Sequence, residues 1–334
     1  MKVNFNVVWL TCDGGSRVVC ELANGLISHG EMVSITSLAP LNLGWMDYKP
    51  LSKKVQVKLV RPTLLMRMFR KAYLVRNGWN YNLKEVLTRA MPDCDVNVAV
   101  HSQLALATLM SGRGKPMHLI QAYEPQTQWY NDPVLARESE LSYTLPLKKL
   151  CVSEFLAGKV GGFNIGNGVD LGFYRPLHIA KVKGSVMGIN TRSRIPWKNG
   201  VMLEQVFAEL HRRGIPTLSP PRGIRDTEFV QYYNRACIYV FLSWEGYEGF
   251  GLQPLEAMAC GTCVITSASV DYAHHLENAF VLQKGYTVAD VVDAVEVLNS
   301  DEALRDRIIC NGLATAANYN INKVIRSFLK VIGA

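Results

Sequence analysis

Two glutamates in the segment 244–261 are spaced so that both can take part in binding or chemistry. Glu248 precedes a Gly249-Phe250-Gly251 turn, and Glu256 follows with seven residues between the two acids. A buried strand is expected to lead into the segment, and Pro254 is expected to open a helix. Backbone N–H groups at a helix start favour phosphate, while carboxylates accept hydrogen bonds from hydroxyl groups. The pattern favours a phosphorylated, hydroxyl-rich ligand such as a nucleotide sugar. The alternative is a solvated acidic loop before an ordinary helix.

The whole string WEGYEGFGLQPLEAMACG resembles the donor-site signature of retaining glycosyltransferases with the GT-B fold, especially family 4. The resemblance implies that Glu248 is catalytic and contacts the transferred sugar, and that Glu256 holds the nucleotide ribose. It also implies donor contacts from Gly249, Phe250, Gly251 and Leu252. The reaction it implies moves a hexosyl or deoxyhexosyl group from a nucleoside diphosphate sugar to a hydroxyl acceptor, with retention of configuration.

The chain alternates strand and helix patterns, which is typical of an α/β protein with doubly wound parallel sheets. Val3–Leu10 is predicted to form the first strand and Arg17–Ser28 the first helix. With the resemblance, the prediction is GT-B: two Rossmann-like domains that face an interdomain cleft. The predicted boundaries are an acceptor-side domain over 1–166, a nucleotide-sugar-binding domain over 167–318, and a helix over 319–334 that packs back on the first domain.

Four residues of the first half are candidates for the site. Gly14 and Gly15 follow the first strand, where the family has a paired glycine that lets the backbone approach the donor; a tight strand-to-helix turn would also need glycine. His101 follows a predicted strand and resembles the family's catalytic histidine near the transferred sugar, although a lone histidine is commonly structural. Glu124 is a candidate acceptor contact or base, or an ordinary loop acid. The stretch around it resembles a branch that includes rhamnosyltransferases.

A basic loop over 191–200 resembles the family loop in which one arginine and one lysine neutralise the diphosphate. Lys198 matches the motif as a catalytic cation. Arg192 and Arg194 straddle the usual spacing; we favour Arg194 as the catalytic one and Arg192 as a donor contact, against a merely solvated basic loop. With cations and helix N–H groups as counter-charge, no metal and no other cofactor is expected.

The connection Gly214–Arg225 is shorter than the family pattern, which predicts a reduced nucleotide pocket. The shorter connection leaves open the alternative that the protein is a catalytically weakened subunit that only binds a sugar nucleotide. The Glu248 and Glu256 pair argues against that alternative.

The segment 49–89 carries eleven lysines and arginines against one acid, a local charge of +10 in a chain of net charge +8. Arg67, Arg70 and Lys71 alternate with large apolar residues, so they are candidates for the acceptor side. A glycan or lipid-linked acceptor at an anionic membrane surface fits this pattern. A nucleic-acid acceptor, such as a modified DNA base, fits a basic groove with aromatics. A solvated helix with its apolar side in the core is the third possibility.

Composition limits the remaining classes of protein. No apolar run reaches the ~20 residues that span a bilayer, and the N-terminus has a strand pattern rather than that of a signal peptide. The eight cysteines are too few in 334 residues for a disulfide scaffold. Cys260 and Cys263 have redox spacing, but the first is predicted to end a helix, which is the wrong end for a reactive thiol. We expect a cytoplasmic enzyme, peripheral to the inner face of a membrane if its acceptor is lipid-linked.

Overall fold

The computed structural model describes residues 1–11, 13–38, 40–60, 88–127, 131–189, 195–221 and 223–333. The chain divides into two compact units. The first unit comprises Met1–Gly166 together with Ile325–Ala334, and the second comprises Asn167–Val324. Each unit contains its own parallel β-sheet covered by helices.

The first unit has a seven-stranded sheet in the order β3-β2-β1-β4-β5-β6-β7, and its described strand pairs are parallel. Its strands are β1 Lys2–Val7, β2 Met32–Ser37, β3 Gln56–Leu59, β4 Val96–Ala99, β5 Lys115–Ile120, β6 Lys148–Cys151 and β7 Phe163–Asn164. The described helices are α1 Gly14–Ser28, α2 Ser102–Met110, α3 Glu124–Thr127, α4 Pro133–Ser142, α5 Glu154–Val160 and the end of α11 Ile321–Gly333.

The inner strand β1 presents different chemistry on its two faces, because alternate side chains of a strand point in opposite directions. Asn4 and Asn6 are buried on one face, and both donate hydrogen bonds to Oδ1 of Asn97 on β4, at 3.0 and 2.8 Å. Phe5 on the other face stacks on Phe328 of α11 at 5.9 Å between ring centroids. The buried amides are hydrogen-bonded, so this polar row is compatible with an inner strand.

Helix α11 belongs to the first unit from Ile325 onward. Its apolar positions Ile325, Phe328 and Ile332 are buried, while Arg326 and Lys330 are exposed. Ile325 lies so close to α1 that a Cβ on Gly25 would be 2.4 Å from its Cδ1. Glycine at position 25 therefore allows α1 and α11 to pack at close range.

The second unit has a five-stranded sheet in the order β12-β11-β10-β8-β9, and its strand pairs are parallel. Its strands are β8 Val186–Met187, β9 Thr217–Leu218, β10 Ile238–Phe241, β11 Cys263–Ser267 and β12 Phe280–Leu282. Its described helices are α6 Gly200–Arg212, α7 Asp226–Arg235, α8 Leu252–Ala259, α9 Val288–Ser300, α10 Glu302–Asn318 and the start of α11, with a 3-10 turn at Pro196–Lys198.

Helices cover both faces of the second sheet. Tyr239 and Phe241 of β10 pack in the core formed with α7 and α8. Ile238 and Val240 of the same strand pack in the core formed with α6 and α9. A strand buried on both faces has the continuous apolar sequence of a doubly wound sheet, as predicted.

Two local predictions need correction. Helix α8 begins at Leu252 rather than Pro254, because Gly251 with φ +81° forms its N-cap and Pro254 then occupies the third position. Glu256 consequently lies in the second turn and not in the opening turn. The short connection Gly214–Arg225 contains the two-residue edge strand β9, which pairs with β8.

The boundary segment of the second unit is held by glycine and by backbone pairing. Val169 N donates to Tyr319 O at 2.9 Å, and Ile321 N donates to Val169 O at 3.0 Å. A Cβ on Gly168 would lie 2.4 Å from Tyr319 O. Only glycine permits this close approach of the two chain segments at the unit boundary.

The two cysteines with redox spacing are buried in the second unit. Cys260 follows α8 and Cys263 begins β11, as predicted. Burial raises the pKa of both thiols, that of Cys263 to about 12. Both thiols are therefore protonated at neutral pH, and a protonated thiol is a poor nucleophile.

Candidate active site

An ion pair between Lys198 and Glu248 lies beyond the carboxyl end of β10. Lys198 comes from the 3-10 turn before α6, and Glu248 comes from the loop between β10 and α8. The lysine Nζ contacts Oε2 of the glutamate, and both side chains are mostly buried. In open α/β sheets, ligands bind at this carboxyl edge of the strands. The sequence motif and the basic loop thus meet at one point.

The carboxylate of Glu248 is held in place by a second contact. Ser243 Oγ donates to its Oε2 at 2.9 Å. Ser243 O in turn accepts a hydrogen bond from Ser267 Oγ on β11. The lysine Nζ also lies 5.2 Å from the centroid of the Phe241 ring, within the range of a cation–π contact. These contacts fix the orientation of the carboxylate and the ammonium group, which is what a site for a developing charge requires.

The start of α8 offers backbone donors beside this ion pair. Its N-cap is Gly251, which has no side chain that could cap the helix. Helix geometry leaves the N–H groups of Leu252 and Gln253 without intrahelical partners, while Pro254 has no N–H. The Cβ position of Gly251 is 3.6 Å from Cγ of Glu248. An anionic group bound at these N–H groups would therefore lie close to Glu248.

The second glutamate of the motif is placed differently. Glu256 is buried, with 4% of its surface exposed, and its Oε2 accepts a hydrogen bond from Tyr233 Oη of α7 at 2.9 Å. Burial, together with the charge of Glu256, raises the pKa of Tyr233 well above its usual range, so this phenol is a hydrogen-bond donor. The contact with ribose that the resemblance implies stays a prediction.

Aromatic packing fixes the Gly249-Phe250-Gly251 turn. The Phe250 ring lies 5.1 Å from that of Tyr272 and 5.6 Å from that of Tyr319. Tyr272 Oη also donates to the carbonyl oxygen of Gly251. Phe250 is partly buried against these rings, and its predicted contact with a donor stays a prediction.

In the first unit, Gly14 and Gly15 are the first residues of α1. Asp13 is the N-cap, and its Oδ1 accepts from Ser16 N at 2.8 Å. A Cβ on Gly15 would lie 3.3 Å from Asp13 Oδ1 and 3.5 Å from Gln121 Oε1. The paired glycine thus lies at the carboxyl edge of the first sheet, where a predicted backbone approach to a ligand is sterically possible.

His101 lies at the same edge of the first sheet, directly before α2, which begins at Ser102 as predicted. Val8 N donates to its Nδ1 at 3.4 Å, and the Trp9 ring lies 5.1 Å from the imidazole. Burial lowers the pKa of His101 to about 4, with Asp13 opposing part of that effect. The ring is therefore neutral at pH 7 and carries its proton on Nε2, which makes it a hydrogen-bond donor.

Glu124 begins the short helix α3 and is buried. Its carboxylate accepts hydrogen bonds from Ser102 N at 3.1 Å and from Ser102 Oγ at 2.5 Å. A carboxylate at the start of a helix stabilises it, so Glu124 caps α2 and thereby supports the backbone next to His101. The role predicted for it toward an acceptor stays a prediction.

The neighbouring His118 on β5 gives a testable pH effect. It is fully buried and stacks on Tyr143, and burial lowers its pKa from 6.5 to about 3, with smaller contributions from His101 and Lys149. Between these values the unfolded chain binds a proton that the folded chain does not. We therefore expect the stability of the first unit to fall as pH falls through this window, by up to about 1.4 kcal/mol per pH unit from this residue.

Urea unfolding at several pH values between 7 and 4 measures this effect. The free energy of unfolding of His118→Gln should depend less steeply on pH than that of the parent protein. Equal slopes for His118→Gln and the parent would contradict the expectation.

Several predicted site residues lie outside the described residues. They are Arg192 and Arg194 of the basic loop, and Arg67, Arg70 and Lys71 of the basic segment. Their predicted roles stay predictions. Among the described ranges no group of three or more histidine, cysteine or acidic side chains could hold a metal ion, and no helix is long and apolar enough to cross a membrane.

Sequence reasoning missed the residues that hold the motif in place. Ser243 directly follows the apolar run of β10, so a polar residue at a strand end could have indicated it. Tyr233 and Tyr272 are 23 and 21 residues away from Glu256 and Gly251, the residues that they contact. No local pattern connects such distant positions; only the fold brings them together.

Comparisons with known proteins bear on this site. Residues 221–314 match the family model of glycosyl transferases group 1. The serotype-specific mannosyltransferase WbdA of Escherichia coli is 29% identical over 97 residues, which are 29% of this chain and 12% of that protein. The N,N'-diacetylbacillosaminyl-diphospho-undecaprenol alpha-1,3-N-acetylgalactosaminyltransferase of Campylobacter jejuni is 27% identical over 107 residues, 31% of this chain and 28% of that protein. The matches thus span about an eighth and about a quarter of these relatives.

Solved structures match over the whole chain. Sucrose-phosphate synthase from Thermosynechococcus elongatus has a TM-score of 0.73 at 14% identity, covering 99% of this chain and 98% of that one. Anabaena HepE in complex with UDP-glucose has a TM-score of 0.74 at 14% identity, covering 100% of this chain and 99% of that one. The chain has the GT-B fold. WaaG, a glycosyltransferase involved in lipopolysaccharide biosynthesis, has a TM-score of 0.65 at 12% identity over 99% of both chains.

The family-model match includes both motif glutamates and ends in α10 of the second unit. It confirms the resemblance to GT-B glycosyltransferases that the motif indicated. Nothing in these comparisons singles out the branch with rhamnosyltransferases, which stays a prediction.

Proposed function

We propose that this GT-B protein is a retaining glycosyltransferase that moves a sugar from a nucleoside diphosphate sugar to a hydroxyl acceptor. The observation that carries the proposal is the Lys198–Glu248 ion pair beside the start of α8, whose N-cap is a glycine. One cation, two backbone N–H groups and one oriented carboxylate lie together, which suits a diphosphate joined to a sugar. The second unit would bind the donor, as the match of its residues 221–314 to the group 1 family also suggests.

The chemistry assigns a distinct task to each charged group. The bond between the anomeric carbon and the phosphate oxygen breaks, and both electrons remain on the diphosphate. Lys198 and the N–H groups of α8 stabilise that growing negative charge, and Glu248 stabilises the positive character of the sugar. The acceptor oxygen then bonds to the anomeric carbon on the face that the diphosphate leaves, and its proton passes to an oxygen of the departing diphosphate.

The relatives suggest classes of donor and acceptor. HepE is described in complexes with UDP-glucose and with UDP, so a nucleoside diphosphate sugar is a reasonable donor class here. The Campylobacter relative acts on an undecaprenol-linked diphosphate sugar according to its name. We infer a glycan or lipid-linked acceptor, and with it a cytoplasmic protein at the inner face of a membrane. The comparisons favour neither a nucleic-acid acceptor nor a non-catalytic subunit.

A transfer assay tests the proposal. The protein is incubated with UDP-, GDP-, dTDP- and ADP-sugars and a panel of lipid-linked and free glycans, and NMR then gives the anomeric configuration of any product. The proposal predicts release of a nucleoside diphosphate and a product with the configuration of the donor. A product of inverted configuration, or a protein that binds a donor but neither hydrolyses nor transfers it, would contradict it.

Metal independence is the next expectation. Because Lys198 and the helix N–H groups can neutralise a diphosphate, turnover should survive EDTA within about two-fold. The measurement compares initial rates with EDTA, with added Mg²⁺ and with added Mn²⁺. Complete loss of activity on chelation, restored by manganese, would show that a metal supplies the counter-charge instead.

A further inference from the structure

Three aromatic side chains flank the Lys198–Glu248 ion pair and form what we call the aromatic cluster: Trp197, Trp244 and Tyr247. The rings of Trp197 and Tyr247 lie nearly parallel, 6.3 Å apart with an angle of 26°. Trp244 meets Tyr247 edge-on at 5.4 Å. Trp244 N also donates to Trp197 O at 2.8 Å. The two loops that carry the ion pair are thus joined through their backbones, and the rings have a defined arrangement.

The aromatic cluster is partly open to solvent. Trp244 is 43% exposed, and Trp197 and Tyr247 are partly buried. A single exposed apolar side chain is common on protein surfaces and indicates nothing by itself. Here, however, Trp197 directly precedes Lys198 and Tyr247 directly precedes Glu248. The exposed ring of Trp244 is therefore connected, through its contacts with Tyr247 and Trp197, to the residues that precede the two charged groups to which we assign the chemistry.

An exposed ion pair includes the residue that follows Trp244. Glu245 follows Trp244 in the chain, and its carboxylate lies 3.8 Å from Nζ of Lys284, the second residue after β12; both side chains are exposed. A flat apolar surface bordered by an acceptor and a donor suits a ligand with an apolar face and polar edges. Pyranose rings have C–H groups on their faces and hydroxyls at their edges, and each hydroxyl both donates and accepts.

The position of Trp197 within the aromatic cluster also favours a sugar ring over the nucleoside. Glu256, to which the resemblance assigns the ribose, lies in α8 and bonds to Tyr233 of α7. Trp197 lies in the turn that leads into α6, and α6 covers the opposite face of the sheet from α7 and α8. Trp197 and Glu256 are thus carried by elements that lead to opposite faces of the sheet.

We propose that the aromatic cluster is a binding platform for the apolar face of a pyranose ring, with Trp244 as its principal contact. The proposal rests on the glycosyltransferase function proposed above and adds a specificity-determining residue to it. The ring can belong to the donor sugar or to the acceptor, since both present the same chemistry.

Binding measurements on Trp244→Ala, Trp244→Phe and a control separate these cases. Phe163→Ala removes an exposed aromatic side chain from the edge strand of the first unit and serves as the control. Calorimetry is performed with UDP and UDP-glucose, with GDP and GDP-mannose, and with methyl α-glucopyranoside and methyl α-mannopyranoside. Thermal unfolding verifies that each variant is folded.

If the ring belongs to the donor, Trp244→Ala should weaken binding of the nucleotide sugar by about 10-fold and leave that of the matching diphosphate within about two-fold. If it belongs to the acceptor, only binding of the methyl glycosides should weaken. In either case Trp244→Phe should keep most of the affinity and Phe163→Ala all of it.

If Trp244→Ala weakens binding of the diphosphate as much as binding of the matching nucleotide sugar, the aromatic cluster is a platform for the nucleobase. That result would overturn the proposal. So would unchanged affinity of Trp244→Ala for every probe that the parent binds. These results leave the glycosyltransferase assignment intact. A parent protein that binds no nucleotide at all would instead contradict that assignment, and the platform with it.

Discussion

Glu248→Gln should lower kcat by about 100-fold or more, while the affinity for a nucleoside diphosphate stays within about two-fold of the parent. The amide has nearly the shape of the carboxylate and can still contact Ser243 Oγ, which lies 2.9 Å from Oε2 in the parent. It carries no charge, so it cannot stabilise a sugar that acquires positive character. Steady-state kinetics and calorimetry with the diphosphate measure the two quantities.

Glu302→Gln is the matched control for this change. Glu302 lies at the start of α10, is largely exposed, and pairs with Arg305 on the surface. The same chemical substitution there should leave kcat unchanged. Equal kcat for Glu248→Gln and the parent would remove Glu248 from the mechanism.

Lys198→Ala should lower kcat/KM by about 100- to 1000-fold and weaken binding of the diphosphate as well. Two causes act in the same direction: the leaving group loses its cation, and the carboxylate of Glu248 loses its partner in a largely buried position. The loss should therefore appear in both ground-state binding and kcat, unlike that of Glu248→Gln.

Lys183→Ala is the matched control for the lysine, since Lys183 is exposed and lies before β8. Thermal unfolding of Lys198→Ala then separates a folding defect from a loss of function. A folded Lys198→Ala protein with the diphosphate affinity of the parent would show that another cation holds the phosphates.

The sequence predicted the elements of the second unit well because its strands are buried on both faces. Ile238–Phe241 and Cys263–Ser267 are continuous apolar or small-residue runs bounded by polar turns, and such runs are a strong signal for a parallel sheet. The glutamate motif placed Glu248 on the loop before α8. The prediction that Pro254 opens α8 was wrong. The helix begins earlier because Gly251 adopts a left-handed backbone conformation, which the proline at position 254 does not indicate.

The contacts that orient the site could not be predicted from local patterns. The contact between Lys198 and Glu248 depends on the parallel pairing of β8 with β10, which places the loops after these strands side by side. The two residues are 50 positions apart in the sequence. Likewise, the burial of Glu256 against Tyr233 depends on how α7 packs beside α8. Sequence periodicity reports which face of an element is buried, but not which side chain of another element lies against it.

A thermal-shift screen of the parent protein tests the central claim most directly. A ligand that binds only the folded state at about 100 times its Kd stabilises the protein by about 2.7 kcal/mol. Within the set of UDP-, GDP-, dTDP- and ADP-sugars and their diphosphates, at least one nucleotide should therefore raise Tm by several degrees, and Lys198→Ala should lose most of that shift. If no nucleotide of the set shifts Tm, or if the shift is the same in Lys198→Ala, the proposed donor site at the Lys198–Glu248 pair is contradicted.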